Sequence, residues 1–555
     1  MRYFILFCLA ATTSLAQPIT ENQKLASLCK VWGFLKYYHP NVASGKQDWD
    51  QQLIRLIPDV QQAQNKQHLN DIYARLIDSL GTVKRCRKCV QTASPPVLGQ
   101  QNLDLSFLTD SLLFTEDVLN RLTYLKNNRN QGDNYYVKQD KQIRNTSFDN
   151  EKSYADMSTP DQSYRLLALF RYWNIIHYFF PYKYALDSNW NEVLPKLIPV
   201  FQRANNPETY QKAIYQLVAS IKDSHGFLVS TDKNRCLRCG DLGTLWLPFE
   251  LKLIDNKAVV TRIYNDSLMS SSALTVGTVI SAIDGQSVRG HIDRIQPYIS
   301  ASNEADVLRD VRGLIGVSTQ KQAALTIDRQ GKDTTVIVAR YTFRELGRST
   351  SKSLNSRYPI SQMLSDSIGY VNMGHLTQRK IDSVMKPLMN TRAIIFDLRN
   401  YPQATLLLVG WYLTDKRPTF AQFTRPNLSF PGVFEQMGSS KLPPAREKPY
   451  AGNVIVLVNE DTQSQAEFTA MAFRTVPTAL LVGSPTAGAD GNISWVPLPG
   501  GYRTAFSGIG VFYPDGRETQ RVGILPDIVV KPTIEGIRAG RDEVLERAIK
   551  LSRGN

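Results

Sequence analysis

Apolar and polar positions along the chain fall into three regimes. Two early stretches, around residues 25–80 and 161–221, place apolar side chains at helical spacing and break at proline. From about residue 246 the period shortens to two. Phe249-Glu250-Leu251-Lys252-Leu253 and Ala258-Val259-Val260 alternate as half-buried strands do. After about residue 355 the apolar runs become short and unbroken: Ile368-Gly369-Tyr370-Val371, Ala393-Ile394-Ile395-Phe396, Val454-Ile455-Val456-Leu457-Val458 and Ala479-Leu480-Leu481-Val482. Such runs suit strands covered on both faces. Helical stretches at 403–415 and 465–475 lie between them, and Asp542 to Leu551 reads as a closing helix. The pattern predicts a multidomain α+β and α/β protein. No apolar run reaches the roughly 18–20 residues of a membrane span.

The two early stretches repeat each other. Val31-Trp32-Gly33-Phe34-Leu35-Lys36-Tyr37-Tyr38-His39-Pro40 aligns with Tyr172-Trp173-Asn174-Ile175-Ile176-His177-Tyr178-Phe179-Phe180-Pro181. Trp49 aligns with Trp190, and Leu56-Ile57-Pro58 with Leu197-Ile198-Pro199, all at an offset of 141. The offset grows to 145 where Asp78-Ser79-Leu80-Gly81 meets Asp223-Ser224-His225-Gly226. Each copy ends in a Cys-x-x-Cys, Cys86/Cys89 and Cys236/Cys239. A duplicated helical unit follows, at 17–96 and 161–245. The Asn-, Asp-, Gln- and Lys-rich stretch between them, 97–160, reads as a polar linker or loosely folded insert. Residues 246–345 form the β-patterned domain, 355–535 the α/β core and 536–555 the C-terminal helix.

Residues 1–16 form a separate object. Arg2 begins it, Tyr3 to Ala11 are apolar, and Ser14-Leu15-Ala16 makes a small-x-small cleavage site. This predicts a cleaved signal peptide and an exported protein, periplasmic or extracellular. Removing it lowers the net charge from +15 to +14. The basic residues are scattered, with no run of five, which argues against nucleic acid as partner. The charge suits acidic substrates or an anionic envelope surface instead.

One segment carries candidate chemistry. In Val458-Asn459-Glu460-Asp461-Thr462-Gln463-Ser464-Gln465-Ala466-Glu467 a buried strand ends, a polar turn follows and a helix begins. A serine there is either a helix cap or a nucleophile beside free backbone N–H groups.

Four ordered motifs resemble the tail-specific (carboxyl-terminal processing) serine protease family. They are Asp397-Leu398-Arg399-Asn400-Tyr401-Pro402, Val456 to Glu467, Val482-Gly483-Ser484-Pro485-Thr486-Ala487-Gly488 and Gly523-Ile524-Leu525-Pro526-Asp527-Ile528. The stretch Ser271 to Gly285 resembles a PDZ domain, which in this family precedes the core. The likeness covers about residues 161–535. It implies a ββα-superhelix (crotonase-like) protease core, a polypeptide substrate, no required cofactor and Ser464 as nucleophile. Backbone N–H groups at Gln403 and Gln465 take the oxyanion positions.

Departures from the family pattern select a branch. The best-known branch has a lysine base where this chain has Ala489, so a Ser–Lys dyad is excluded. The tricorn-core branch draws a histidine from a helical segment before the PDZ domain, preceded by a serine. Ser224-His225 matches it. The first repeat copy has Leu80 at that place, so the local fold does not demand a histidine. His375, after the first core strand, is the alternative base. The branch's imidazole-orienting glutamate becomes Gln520, which can accept a hydrogen bond from the ring but brings no charge; Glu518 and Ser224 are the other candidates. Gln403 and Ala404 stand where the family's oxyanion loop has two glycines.

The four cysteines of the two pairs fit disulfides or a structural Zn²⁺ with four thiolates. Cys29 is left over and expected to be buried. The rival to an active peptidase is a catalytically impaired peptide-binding or scaffolding protein on the same fold.

Overall fold

The computed structural model describes residues 19–90, 101–231, 243–264, 274–329, 331–346 and 358–553. The leader at 1–16, the Ser271–Ala273 start of the PDZ-like motif, and Cys236 and Cys239 lie outside the described residues. No described helix is long and apolar enough to cross a membrane.

The repeat is a structural one. Helix α1 (Glu21–Tyr38) starts at a Thr20/Gln23 capping box and stops before Pro40. Helices α2 (Trp49–Gln62) and α3 (Lys66–Ser79) complete the first copy. After α4 (Glu116–Asn127), the second copy supplies α5 (Gln162–Phe179), α6 (Val193–Arg203) and α7 (Pro207–Ala219). Each copy carries a reciprocal indole lock. Trp32 Nε1 donates to Trp49 O and Trp49 Nε1 to Trp32 O, at 2.9 and 3.1 Å. Trp173 and Trp190 repeat this at 3.2 and 3.1 Å.

The copies face each other across a pseudo-twofold axis. Gly33 lies against the side chain of its counterpart Asn174, so close that a Cβ at 33 would sit 1.8 Å from Oδ1. Asn174 Nδ2 donates to Cys29 O and Phe170 O, also counterparts, at 3.0 and 2.9 Å. Tyr37 and Tyr178 meet edge to face at 5.5 Å. One apolar core runs through both copies, so they fold as a single unit.

The stretch expected to be a polar linker or loosely folded insert is folded into that core. Between residues 101 and 160, Phe107, Leu108, Phe114, Leu122, Tyr136, Val137 and Phe148 are buried in it. Val118, Leu122 and Leu125 keep helical spacing on α4, but the other buried apolar residues are spaced too irregularly to read as an element, which hid them in a polar composition. The stretch also supplies Glu151, which pairs with Lys36 at 2.6 Å and Arg171 Nε at 2.9 Å. Asp50 pairs with Arg171 at 2.6 Å. Lys36 and Arg171 are fully buried. Burial pulls the Lys36 ammonium down, and Glu151 opposes that.

Strand β1 (Leu228–Ser230) leaves the helical unit and leads to the β-domain. There β2 (Phe249–Ile254), β3 (Lys257–Ile263), β4 (Val279–Ile283), β5 (Gln322–Arg329) and β6 (Lys332–Ala339) form one antiparallel sheet in that order. Helices α8 (Val288–Ile295) and α9 (Glu304–Arg312) belong to this domain. Gly277 and Gly285 make the expected turns with φ of 86° and 78°.

The core sheet runs β7-β8-β9-β10-β11-β14. Its members are β7 (Ser361–Ser365), β8 (Ile368–Asn372), β9 (Ala393–Asp397), β10 (Asn453–Val458), β11 (Ala479–Gly483) and, last in the chain, β14 (Ile528–Val529). All neighbours are parallel except β7, on the edge. Alternate residues serve two cores. Ile394, Phe396, Val454 and Val456 face a layer that includes Ala470 and Phe473. Tyr370, Ile395, Ile455 and Leu457 face Val544, Leu545 and Ala548 of the closing helix (Glu543–Ser552). Arg399 ties the end of β9 to that helix, bonding Asp397 at 2.7 Å and Asp542 at 2.8 Å. Strands β12 (Ile493–Leu498) and β13 (Tyr502–Ser507) form a separate small sheet, and β1 joins its edge through Tyr502↔Ser230 to Thr504↔Leu228.

Breaking the buried ion network tests how far the insert is structural. Glu151→Ala leaves Lys36 and Arg171 short of a counter-ion and should cost about 3–5 kcal/mol. Calorimetry should show a lower Tm for the helical transition, and an unchanged Tm would contradict this role.

Candidate functional site

The site lies where the carboxyl ends of the parallel strands converge. Strand β10 ends at Val458, and the helix Gln465–Arg474 begins seven residues later. The intervening turn is held by its own polar residues. Asn459 N–H donates to Thr462 Oγ1 at 3.0 Å, Asp461 N–H to Asn459 Oδ1 at 3.0 Å, and Thr462 Oγ1 to Leu398 O at 2.8 Å.

Ser464 closes the turn with φ 57° and ψ −121°. A non-glycine residue there costs on the order of 1–3 kcal/mol and persists only when its surroundings over-determine it. They do. Ser464 N–H donates to Ala489 O at 3.0 Å and to Glu467 Oε2 at 3.1 Å. The fully buried Glu467 carboxylate also accepts the N–H groups of Gly488 and Ala489 at 2.9 and 3.1 Å, and the Thr486 hydroxyl. Burial pushes the Glu467 carboxyl up, with these donors opposing. No hydrogen bond holds the Gln465 N–H among the described residues. Across the site, Ala404 also takes a positive φ, 53°, beside Gln403, whose side chain bonds Gly374 O at 3.2 Å. Ala404 thus carries a backbone otherwise suited to glycine.

His225 comes from the turn after α7. Its Nδ1 lies 2.9 Å from Ser507 Oγ, on β13. Ser507 Oγ donates to Asp223 Oδ1 at 3.0 Å, and Ser507 N–H to Asp223 Oδ2 at 2.6 Å. His225 N–H and Gln520 Nε2 also donate to Asp223 Oδ1, at 3.1 and 3.2 Å. Burial pulls the imidazole down; Asp223 opposes and Arg309 assists.

The two halves meet through the residues just before them. Gln463 Nε2 donates to Ser224 O at 2.9 Å, and Arg309 of α9 donates to Gln463 Oε1 at 2.8 Å. No hydrogen bond joins Ser464 and His225 themselves among the described residues. A cavity of about 620 Å³, lined among others by Lys252, Arg309, Arg312, Glu460, Ser484 and Leu525, opens between the β-domain and the core beside this turn.

Three candidates behave differently from expectation. Ser224 does not touch the ring: its hydroxyl donates to Ala487 O at 3.0 Å and accepts from Ser302 N–H at 2.9 Å. Gln520 reaches Asp223 rather than the imidazole. Glu518 accepts from the Tyr184 hydroxyl, which occupies it away from His225. His375 uses its N–H on Asn372 O at 3.1 Å and makes no ring hydrogen bond among the described residues. Asp223, Ser507 and Glu467 were missed. Asp223 had a signal, since it opens the Asp-Ser-His-Gly motif; Ser507 had none. Cys86 and Cys89 form a disulfide, and Cys29 is free and buried.

The family model of peptidase family S41 matches residues 367–530. A carboxy-terminal-processing protease of Bartonella bacilliformis is 22% identical over 380 residues, covering 65% of this chain and 80% of that protein. The crystal structure of mature CPAF superposes with a TM-score of 0.55 at 15% identity, covering 70% of this chain and 96% of that one. The tricorn protease crystal structure aligns over 70% of this chain and 36% of its own, at 15% identity and a TM-score of 0.35.

Asp490, next to Ala489, offers a test of the buried acids. Burial and the nearby Glu467 push its carboxyl well up, and its Oδ2 has no partner among the described residues. A raised carboxyl makes its stabilising contribution in full below the unfolded pKa of about 3.9 and loses it as pH rises toward the folded value. Asp490→Asn abolishes that loss. Its Tm relative to the parent should therefore rise between pH 4 and pH 8 in calorimetry; a pH-independent difference would rule out a neutral Asp490.

Proposed function

We propose that this chain, whose residues 367–530 match the family model of peptidase family S41, is an exported serine endopeptidase with Ser464 as nucleophile and His225 as general base. The observation that carries this is the Gln463–Ser224 bond, which links the residues preceding the two candidates, together with the enforced left-handed backbone of Ser464. A hydroxyl is a poor nucleophile until its proton is accepted, and a neutral imidazole is the suited acceptor near pH 7.

Ser464 Oγ attacks the carbonyl carbon of a peptide bond while its proton passes to His225 Nε2. The oxygen gains charge and is held by backbone N–H groups near Gln403 and Gln465. Collapse breaks the C–N bond, and the Nε2 proton leaves on the amine. Water then attacks the acyl ester, gives its proton to Nε2, and returns Ser464 as the acid departs. The β-domain, read as PDZ-like, positions the polypeptide, and the cavity beside Glu460 is its route to Ser464.

Labelling by a fluorophosphonate probe tests the assignment. Ser464→Ala should abolish labelling, and His225→Ala should slow it by roughly 10²–10⁴-fold. Equal labelling of the Ser464→Ala protein, or none of the parent, would refute it. The base works when neutral, and burial lowers the His225 pKa from 6.5. The acid limb of the labelling rate should therefore have its midpoint below pH 6.5; a midpoint above it would contradict a buried base.

A further inference from the structure

The hydrogen bonds around His225 have directions that chemistry decides. An ionised carboxylate only accepts. The Ser507 hydroxyl has one proton, and it lies 3.0 Å from Asp223 Oδ1. Ser507 therefore donates to Asp223 and must accept from His225 Nδ1, at 2.9 Å. That places the ring proton on Nδ1 and leaves the Nε2 lone pair free to act as base. Asp223 Oδ1 is 3.9 Å from His225 Nδ1, too far for a direct bond. Ser507 is the link, and Asp223 and Ser507 are both fully buried.

We propose that Ser507 is the positioning residue of His225, relaying the Asp223 charge to the imidazole in place of the acid that Gln520 has replaced. This rests on the Ser464–His225 reading above. No proton moves along the relay. When Nε2 takes the Ser464 proton, Nδ1–H continues to donate to Ser507, and the Asp223 charge offsets the imidazolium. Two other charged groups face this corner, both on α9. Arg309 opposes the imidazolium, and Asp306 is pushed up to about 7 by burial.

The relay reverses the expected sign at position 520. Gln520 presents its amide N–H₂ to Asp223 at 3.2 Å. Glutamate there would set a second carboxylate against Asp223. Gln520→Glu should therefore impair the site, and Asp223→Asn/Gln520→Glu should recover it by moving the charge across.

Two measurements on the full chain test this. The first is ¹⁵N-histidine NMR of the six histidines, with His225→Gln giving the assignment. The expected result is an Nδ1–H tautomer at His225, lost or mixed in Ser507→Ala. An Nε2–H tautomer in the parent overturns the relay. The second is the fluorophosphonate labelling rate from pH 5 to 9. Ser507→Ala and Asp223→Asn should each slow it by roughly 10–100-fold, the pair together no more than the worse single change. Additive losses, or a faster Gln520→Glu, overturn the relay. If Ser507→Ala does not fold, the Gln520 variants and the parent tautomer decide. A parent that shows the Nδ1–H tautomer but never labels removes the peptidase reading and leaves the relay standing.

Discussion

The fold around the site depends on one buried carboxylate. Asp223 has no exposure, and a charge in that position is tolerable only if donors surround it. They come from three parts of the chain: its own turn through the His225 N–H, strand β13 through both polar groups of Ser507, and the segment beyond through Gln520. Moving any of these apart strands the charge. The helical unit and the small sheet of the core are thereby locked in one register, and β1 extends the same lock by pairing with β13.

The Ser464 side is built by the same logic with a different acid. Glu467 collects backbone N–H groups from Ser464, Gly488 and Ala489, and so bends Ser464 into a conformation it would not adopt alone. Each half of the candidate site is thus shaped by a buried acid. Arg309 then touches the turn between them, so the β-domain bears directly on the segment that holds Ser464.

Much of this was legible in the chain. Unbroken apolar runs identified the parallel strands, because a strand covered on both faces has no polar face to show. The repeat was visible because the indole locks need tryptophan at fixed separations. Ser464 and His225 stood out through motif and through the contrast with Leu80. What escaped was everything that depends on folding together distant segments. Ser507 is one serine among many until β13 brings it to His225. Ser224 looked like the orienting hydroxyl by adjacency alone, whereas its side chain turns toward Ala487. The insert at 101–160 looked polar because its few buried aromatics are scattered, and its key residue, Glu151, is itself a charge.

The pseudo-twofold pairing of the helical copies has an evolutionary consequence. Counterpart residues meeting across an axis, as Gly33 with Asn174 and Tyr37 with Tyr178 do, is the contact pattern of an isologous homodimer. In a dimer of identical chains every substitution is made twice. A histidine gained at the end of one copy would appear at the other too, in the buried place that Leu80 fills here. Joining the copies in one polypeptide released that constraint. Within one chain position 80 is leucine while position 225 is histidine, and position 33 is glycine, which admits the asparagine at 174. Duplication within one chain thus does more than enlarge a core: it lets a symmetric scaffold carry different residues at its two equivalent ends.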